Sequence, residues 1–233
     1  MQKDISRIII AIDGHSSCGK STVAKDLSKQ LGLTYIDTGA MYRAVTLFAL
    51  RNKLITRQTV DASGLQARIG HIKIELKKNL HTGKVETFLN DENVEETIRS
   101  LEVSSHVSAV STLAFVRKRL VELQQEMGEK GGIVMDGRDI GTVVFPNADV
   151  KLFMTASPEI RARRRYDEMV GKGEEVTYEE VLENVKTRDH IDSTRAESPL
   201  KKADDALVLD NSHITQQQQL DWIMERLKER EWL

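Results

Sequence analysis

The stretch Ile8-Ile9-Ile10-Ala11-Ile12-Asp13-Gly14-His15-Ser16-Ser17-Cys18-Gly19-Lys20-Ser21-Thr22 opens with an unbroken apolar run. The run is too short for a helix and rich in β-branched residues, the pattern of a strand buried on both faces of a parallel sheet. It passes into G-x-x-x-x-G-K-S, from Gly14 to Ser21, a phosphate-binding loop. The next residues predict a helix, with Val23, Leu27 and Leu31 on one face. Gly14 and Gly19 let the backbone turn where a side chain would obstruct a phosphate. The N–H groups along Gly14, His15, Ser16, Ser17, Cys18, Gly19, Lys20, Ser21 and Thr22 then meet the positive end of the helix dipole, where anions collect. Lys20 supplies a mobile charge for the β- and γ-phosphates, and the Ser21 hydroxyl is placed to hold Mg²⁺. The loop implies a nucleoside triphosphate and magnesium but does not identify the reaction.

Composition bounds the rest. The chain has 233 residues, 39 % hydrophobic and 30 % charged, with a formal net charge of −2. This is a globular composition, and the near-neutral charge gives no support for nucleic-acid binding through a broad basic face. No apolar run approaches the ~20 residues that span a bilayer. The short run after Lys3 and Arg7 ends at Asp13, without the pattern of a secretory signal. Cys18 is the single cysteine, so no internal disulfide forms; it reads as a small filler of the loop. The expectation is a cytoplasmic enzyme acting on small molecules.

Outward from the loop, Thr34-Tyr35-Ile36 predicts a second strand, ending in Asp37-Thr38-Gly39-Ala40-Met41-Tyr42-Arg43, where a helix begins. Ligands of open α/β sheets sit outside the carboxyl ends of strands, so Asp37, Thr38 and Arg43 are expected to face the crevice of the phosphate loop. From about Gly64 to Glu96 the polar–apolar alternation and turns predict a small antiparallel meander inserted into the α/β core. Ser100 to Met127 reads as helical, with Val103, Val107, Val110 and Leu113 on one apolar face and Val116, Leu120 and Leu123 on another. Ser108 and Arg117 are its notable polar positions.

Gly132-Ile133-Val134-Met135 predicts a third core strand, ending in Asp136-Gly137-Arg138-Asp139-Ile140-Gly141-Thr142. A plain turn would need the glycines and perhaps one aspartate, but not Arg138. Asp136 is placed to hold a magnesium-bound water and Asp139 to accept hydrogen bonds from a sugar or base. A fourth strand covers Ala148–Met154 and a fifth Ala206–Leu209. Between them Ser157-Pro158-Glu159 starts a helix carrying Arg161, Arg164 and Arg165 on one face. Gly171-Lys172-Gly173 breaks it, and a second helix runs from about Tyr178 to His190. Arg188, Asp192 and Arg195 share a face if that helix continues. Arginines on both arms of a glycine-hinged pair suggest a lid closing on phosphates. Gln216 to Gln219 open the last helix and read as solvated surface.

Phosphoryl transfer onto a second phosphate requires cations for donor and acceptor, but no general base, since the acceptor is already ionised. Lys20, Arg138, Arg188 and Arg195 are therefore the expected catalytic residues. Arg161 and Arg165 join the loop in binding the donor nucleotide.

Over nearly its full length the chain resembles the bacterial cytidylate kinases. The landmarks are Gly14-x4-Gly19-Lys20-Ser21-Thr22, Asp37-Thr38-Gly39-Ala40-Met41-Tyr42-Arg43, the run Asp136-Gly137-Arg138-Asp139-Ile140-Gly141-Thr142-Val143-Val144-Phe145-Pro146, and Arg188-Asp189-x2-Asp192-Ser193-x-Arg195. The resemblance implies a P-loop kinase fold of three layers, with a five-stranded parallel sheet flanked by helices. It implies a core ATP-binding domain of residues 1–37, 131–157 and 204–233. A monophosphate-binding domain of 38–130 would hold the meander (about 64–96), and 158–203 would form a short helical lid. Thr38 and Arg43 would contact the monophosphate and cytosine, with Ser108, Arg117 and Asp139 reading the base or sugar. Arg138 would reach phosphates, Arg188 and Asp192 would bind the CMP phosphate and sugar, and Arg195 would contact phosphates. Some relatives carry a further arginine at the position of Ile191. The implied reaction converts ATP and CMP or dCMP to ADP and CDP or dCDP, with Ser21 and Asp136 as the magnesium residues, in a monomer. The alternatives are a kinase for UMP or AMP, or a P-loop ATPase; a guanine-reading N-K-x-D motif does not occur in the sequence.

Overall fold

A computed structural model describes residues 3–56, 59–79 and 81–233. From the N-terminus come β1 (Ile9–Gly14), α1 (Lys20–Leu31), β2 (Thr34–Asp37) and α2 (Thr38–Arg51). Next are β3 (Ile55–Thr56), β4 (Thr59–Val60), α3 (Ala62–Arg68), β5 (Ile74–Lys78), β6 (Val85–Leu89) and β7 (Glu92–Asn93). The helices α4 (Leu101–Ser111) and α5 (Ala114–Gly128) lead to β8 (Ile133–Gly137) and β9 (Val150–Thr155). The chain ends with α6 (Pro158–Gly171), α7 (Tyr178–Thr194), β10 (Leu207–Asp210) and α8 (Gln216–Glu229).

The chain forms two compact units, one of residues 1–35 and 128–233, the other of residues 36–127. The first is built on a five-stranded sheet in the order β10-β9-β1-β8-β2. β1 lies at its centre, parallel to β8 and β9. Ile8, Ile10 and Ile12 are fully buried, packing with Val23 and Leu27 of α1 and Ile223 and Leu227 of α8. Burying each such side chain stabilises the fold by ~1.5–3 kcal/mol. The register sets Ile12 beside Asp136 and Asp13 beside Gly137, so the ends of β1 and β8 deliver their loops to one edge of the sheet. The helical pair of residues 158–194 belongs to this unit by contact. α6 packs against α7 through Ala162, Val181 and Val185.

The second unit holds the predicted antiparallel insertion. β5 pairs with β6 from Ile74–Leu89 to Lys78–Val85, and β6 pairs with the short β7. The meander starts later than about Gly64, because residues 62–68 form α3 and residues 69–71 a 3₁₀ turn before the first of its strands at Ile74. The small sheet β3–β4 and helix α3 were not foreseen; two-residue strands are too short to show a period.

The segment 100–127 is two helices rather than one. The apolar stripe changes phase between Leu113 and Val116, and the chain breaks at Thr112–Leu113. The break lets Val103, Val107 and Val110 of α4 join Val116 and Leu120 of α5 in one core, which a straight helix could not do. Conversely, α7 runs past His190 to Thr194, so Arg188 and Asp192 are helical and Arg195 caps the end.

Candidate active site

The phosphate loop turns through Gly14 (φ 150°), Ser17 (φ 60°) and Gly19 (φ 87°). Gly14 is fixed by packing as well as conformation, since a Cβ there would lie 2.1 Å from the Met154 carbonyl of β9. Gly19 caps the N-terminus of α1 in the left-handed conformation. His15, Ser16, Ser17 and Cys18 span the turn, with Cys18 wholly buried. Thr22 is exposed one residue into the helix after Ser21.

Lys20 is 5 % exposed. Its Nζ donates to the His15 carbonyl at 2.6 Å and lies 3.6 Å from Cys18 Sγ. Burial, with Arg138 nearby, holds its pKa below the usual lysine value. Ser21 Oγ donates to Asp136 Oδ2 at 3.0 Å, and Tyr35 Oη donates to Asp136 Oδ1 at 2.8 Å. A hydroxyl and a carboxylate thus converge one residue from the loop lysine. These hard oxygen donors suit Mg²⁺, which takes few protein ligands and completes its shell with water and phosphate oxygens.

Arg138 Nε donates to Asp192 Oδ2 at 2.8 Å, and Arg195 Nη1 lies 3.6 Å from Asp192 Oδ1. Arg195 also holds the Ser198 carbonyl through Nε at 3.0 Å and Nη2 at 2.7 Å. Burial raises the pKa of Asp192, but Arg138, Arg195 and Arg188 outweigh it and keep the group below its ordinary value. The structure therefore gathers Arg188 and Arg195, which the sequence placed on one face with Asp192, around that buried aspartate and adds Arg138 to them. Asp139 is buried at the head of the wide turn Ile140–Val144.

Arg161 and Arg165 part company. Arg161 is 2 % exposed, and its nitrogens are engaged by protein. Nε bonds the Ala156 carbonyl at 2.9 Å, and Nη1 bonds the Ser16 carbonyl at 3.2 Å and Asp189 Oδ1 at 2.9 Å. Nη2 bonds Asp189 Oδ2 at 2.5 Å. It supports the loop from behind. Arg165 instead lines a pocket of about 440 Å³ with Arg164, Ser17, Gly19, Thr22 and Asn211.

Asp189 also lies 3.2 Å from His15 Nδ1 through Oδ1. Burial alone would raise its pKa; the contacts with His15 and Arg161 prevail and lower it from 3.8 to about 2. A depressed carboxylate contributes stability that is present above its unfolded pKa and lost as pH falls through the folded one. Asp189→Asn is expected to be less stable than wild type at pH 6. The gap should narrow by about 1 kcal/mol on lowering the pH to 3, read from urea unfolding. An unchanged gap would disprove the pairing.

In the second unit, Asp37 caps α2, accepting from the Ala40 N–H at 3.0 Å, and it pairs with Arg99 at 3.0 Å. Thr38 is 3 % exposed in the first turn. Arg43 Nη1 donates to Ser104 Oγ at 2.6 Å. Arg117 is buried over the ring of Tyr42, 5.4 Å from its centroid, and donates to the Ser111 carbonyl at 3.2 Å. Ser108 is half-buried on α4.

Three polar residues escaped the sequence reading. Asp13 is 4 % exposed and accepts the N–H groups of Ile140 (2.8 Å) and Gly141 (2.7 Å), with burial pushing its pKa up to about 6. Asn211 is 1 % exposed and bonds the Cys18 carbonyl. Gln219, read as surface, is buried and accepts from Asn211 at 3.0 Å. Asp13 directly precedes the loop glycine, which was the available signal. Asn211 and Gln219 carry none: Asn211 is engaged by Cys18 and Arg164, far off in sequence, and Gln219 sits in a run of four glutamines whose other members are exposed.

A family model described as cytidylate kinase matches residues 10–229. The chain belongs to the cytidylate kinase family. The cytidylate kinase of Parabacteroides distasonis is 60 % identical over 222 residues, covering 95 % of this chain and 97 % of that protein. That of Bacteroides fragilis is 60 % identical over 220 residues, covering 94 % and 96 %. Among solved structures, an uncharacterized protein from Eubacterium ventriosum superposes with a TM-score of 0.53 at 14 % identity. It covers 96 % of this chain and 99 % of that one, a likeness of fold alone. As a cytidylate kinase the chain is a nucleoside monophosphate kinase, a phosphotransferase.

Proposed function

We propose that this enzyme transfers the γ-phosphoryl group of ATP to CMP or dCMP, giving ADP and CDP or dCDP, with Mg²⁺. The observation that carries the reading is the convergence of the Lys20 amine, the Ser21 hydroxyl and the Asp136 carboxylate where β1 and β8 end, in a chain of this family. Ser21 and Asp136 are the residues that would hold the magnesium, which supplies charge neutralisation at the phosphates. The loop N–H groups bind the donor phosphates, and the 440 Å³ pocket at Arg164 and Arg165 takes the donor's nucleoside. Lys20 leaves the His15 carbonyl for the transferring phosphoryl group. Arg138, Arg188 and Arg195 offset charge on donor and acceptor, and Asp192 orients them and accepts from the acceptor sugar. Thr38, Arg43, Ser108, Arg117 and Asp139 bind the acceptor nucleotide. Arg161 supports the loop. In this reading residues 38–130 bind the monophosphate and residues 158–203 act as a lid that excludes water.

The same reading makes the enzyme a cytoplasmic monomer with small-molecule substrates and neither nucleic acid nor membrane as partner. The net charge of −2 supports the part concerning nucleic acid, and among the described residues no helix is long and apolar enough to cross a membrane. The test is ADP formation from ATP and Mg²⁺ with CMP, dCMP, UMP, AMP, GMP and dTMP in turn. Turnover with CMP and dCMP at least 10²-fold above the others is expected, since unpaired polar groups in a base site discriminate strongly. Preference for UMP or AMP would remove Ser108, Arg117 and Asp139 as cytosine readers.

A further inference from the structure

Asn211 stands just beyond β10, and all its polar groups are used. Its N–H donates to the Thr155 carbonyl at 2.9 Å. Its Nδ2 donates to the Cys18 carbonyl at 2.6 Å and to Gln219 Oε1 at 3.0 Å. Its Oδ1 accepts from Arg164 Nη1 at 3.1 Å, and its own carbonyl accepts from Arg164 Nη2 at 2.8 Å. One side chain thus joins the phosphate loop, the arginine of α6 that lines the pocket, and α8. Nδ2 also sits 3.3 Å from where a Cβ on Gly19 would stand, so the loop glycine and Asn211 are packed as a pair.

We propose that Asn211 is a positioning residue for the donor nucleotide, fixing the curve of the phosphate loop through the Cys18 carbonyl and the setting of Arg164 on the pocket wall. The inference rests on the reading of that pocket as the donor's. A loop whose N–H groups are held in place before the ligand arrives binds without a cost of reorganisation. Gln219 holds the Asn211 amide in the orientation that presents Nδ2 to the loop. The acceptor nucleotide has no part in this network, so the effect is confined to ATP.

Two variants separate geometry from charge. Asn211→Asp keeps the size and the oxygen facing Arg164 but replaces the donor with an oxygen. Gln219 can turn its amide to donate, whereas the Cys18 carbonyl cannot, so the substitution falls on the loop contact. Asn211→Ser is neutral and too short to reach Cys18, Gln219 and Arg164 together. Calorimetric titration with ATP alone and with CMP alone is the measurement. Both variants are expected to bind ATP at least tenfold more weakly and CMP within twofold of wild type, with the KM values for the two substrates splitting in the same way. ATP binding within threefold of wild type in either variant, or an equal weakening of both nucleotides, overturns the inference. If both variants are unfolded by circular dichroism, Gln219→Leu makes the same comparison by removing only the rear partner. A loss for ATP alone supports the proposal, and a parallel or absent change overturns it. A wild-type enzyme that forms no CDP, yet loses ATP affinity selectively in these variants, refutes the acceptor assignment and leaves this inference standing.

Discussion

Lys20→Ala is expected to lower kcat by ~10³-fold or more while leaving the melting temperature within a few degrees of wild type. The amine is buried and held by one carbonyl of its own loop, at a distance of 2.6 Å. Burial already lowers its pKa, so the fold bears a desolvation cost in keeping the charge there. Removing it forfeits a hydrogen bond worth ~1 kcal/mol but relieves part of that cost. The two changes offset each other in stability. In catalysis nothing offsets the loss, because charge develops on the transferring phosphoryl group. Lys20→Arg is expected to give no rescue, since the planar fork does not fit where a point charge bonds a single carbonyl. A variant that retained most of its rate would remove the phosphate loop from the mechanism.

Arg188→Ala is expected to lower kcat by ~10²-fold with a small effect on stability, whereas Arg195→Ala should lower kcat similarly and also destabilise the fold. Arg195 is 9 % exposed and bonds the Ser198 carbonyl twice as well as facing Asp192, so its removal leaves buried groups unsatisfied. Arg188 is half-buried on α7, and Asp192 retains Arg138 at 2.8 Å without it. Steady-state kinetics with thermal unfolding separates the two roles. Equal stability losses in both variants would show that the cluster is held by Arg188 as much as by Arg195. An unchanged kcat in Arg188→Ala would remove the cluster from phosphoryl transfer.

The core of the fold was legible because each central strand is a buried run with almost no polar interruption. Ile8–Ile12 could be read from its unbroken apolar run, and the turn of Gly14–Ser21 that follows it from the spacing of its glycines, lysine and serine. The antiparallel insertion announced itself by its alternation around Ile74 and its return at Val85–Leu89. The broken helix at Thr112 left a trace, a stripe that shifts phase, but a shift of phase reads equally as two faces of one helix. Within the site, sequence spacing grouped Arg188, Asp192 and Arg195, and the structure adds Arg138 to the same aspartate. Arg161 shows where such reading stops. Spacing placed it with Arg164 and Arg165, but only tertiary packing turns it inward to Ser16 and Asp189. Asn211 belongs to the same class, since a buried hydrogen bond between residues 193 positions apart leaves no local pattern, whereas Asp13 was marked only by its place before the loop glycine.

The most direct test of phosphoryl transfer follows the label from ATP carrying a radioactive γ-phosphate, incubated with Mg²⁺ and CMP. Label recovered in CDP in proportion to ADP formed, with little inorganic phosphate, is the predicted result. Label recovered as inorganic phosphate at a rate independent of CMP would contradict it and make the protein an ATPase.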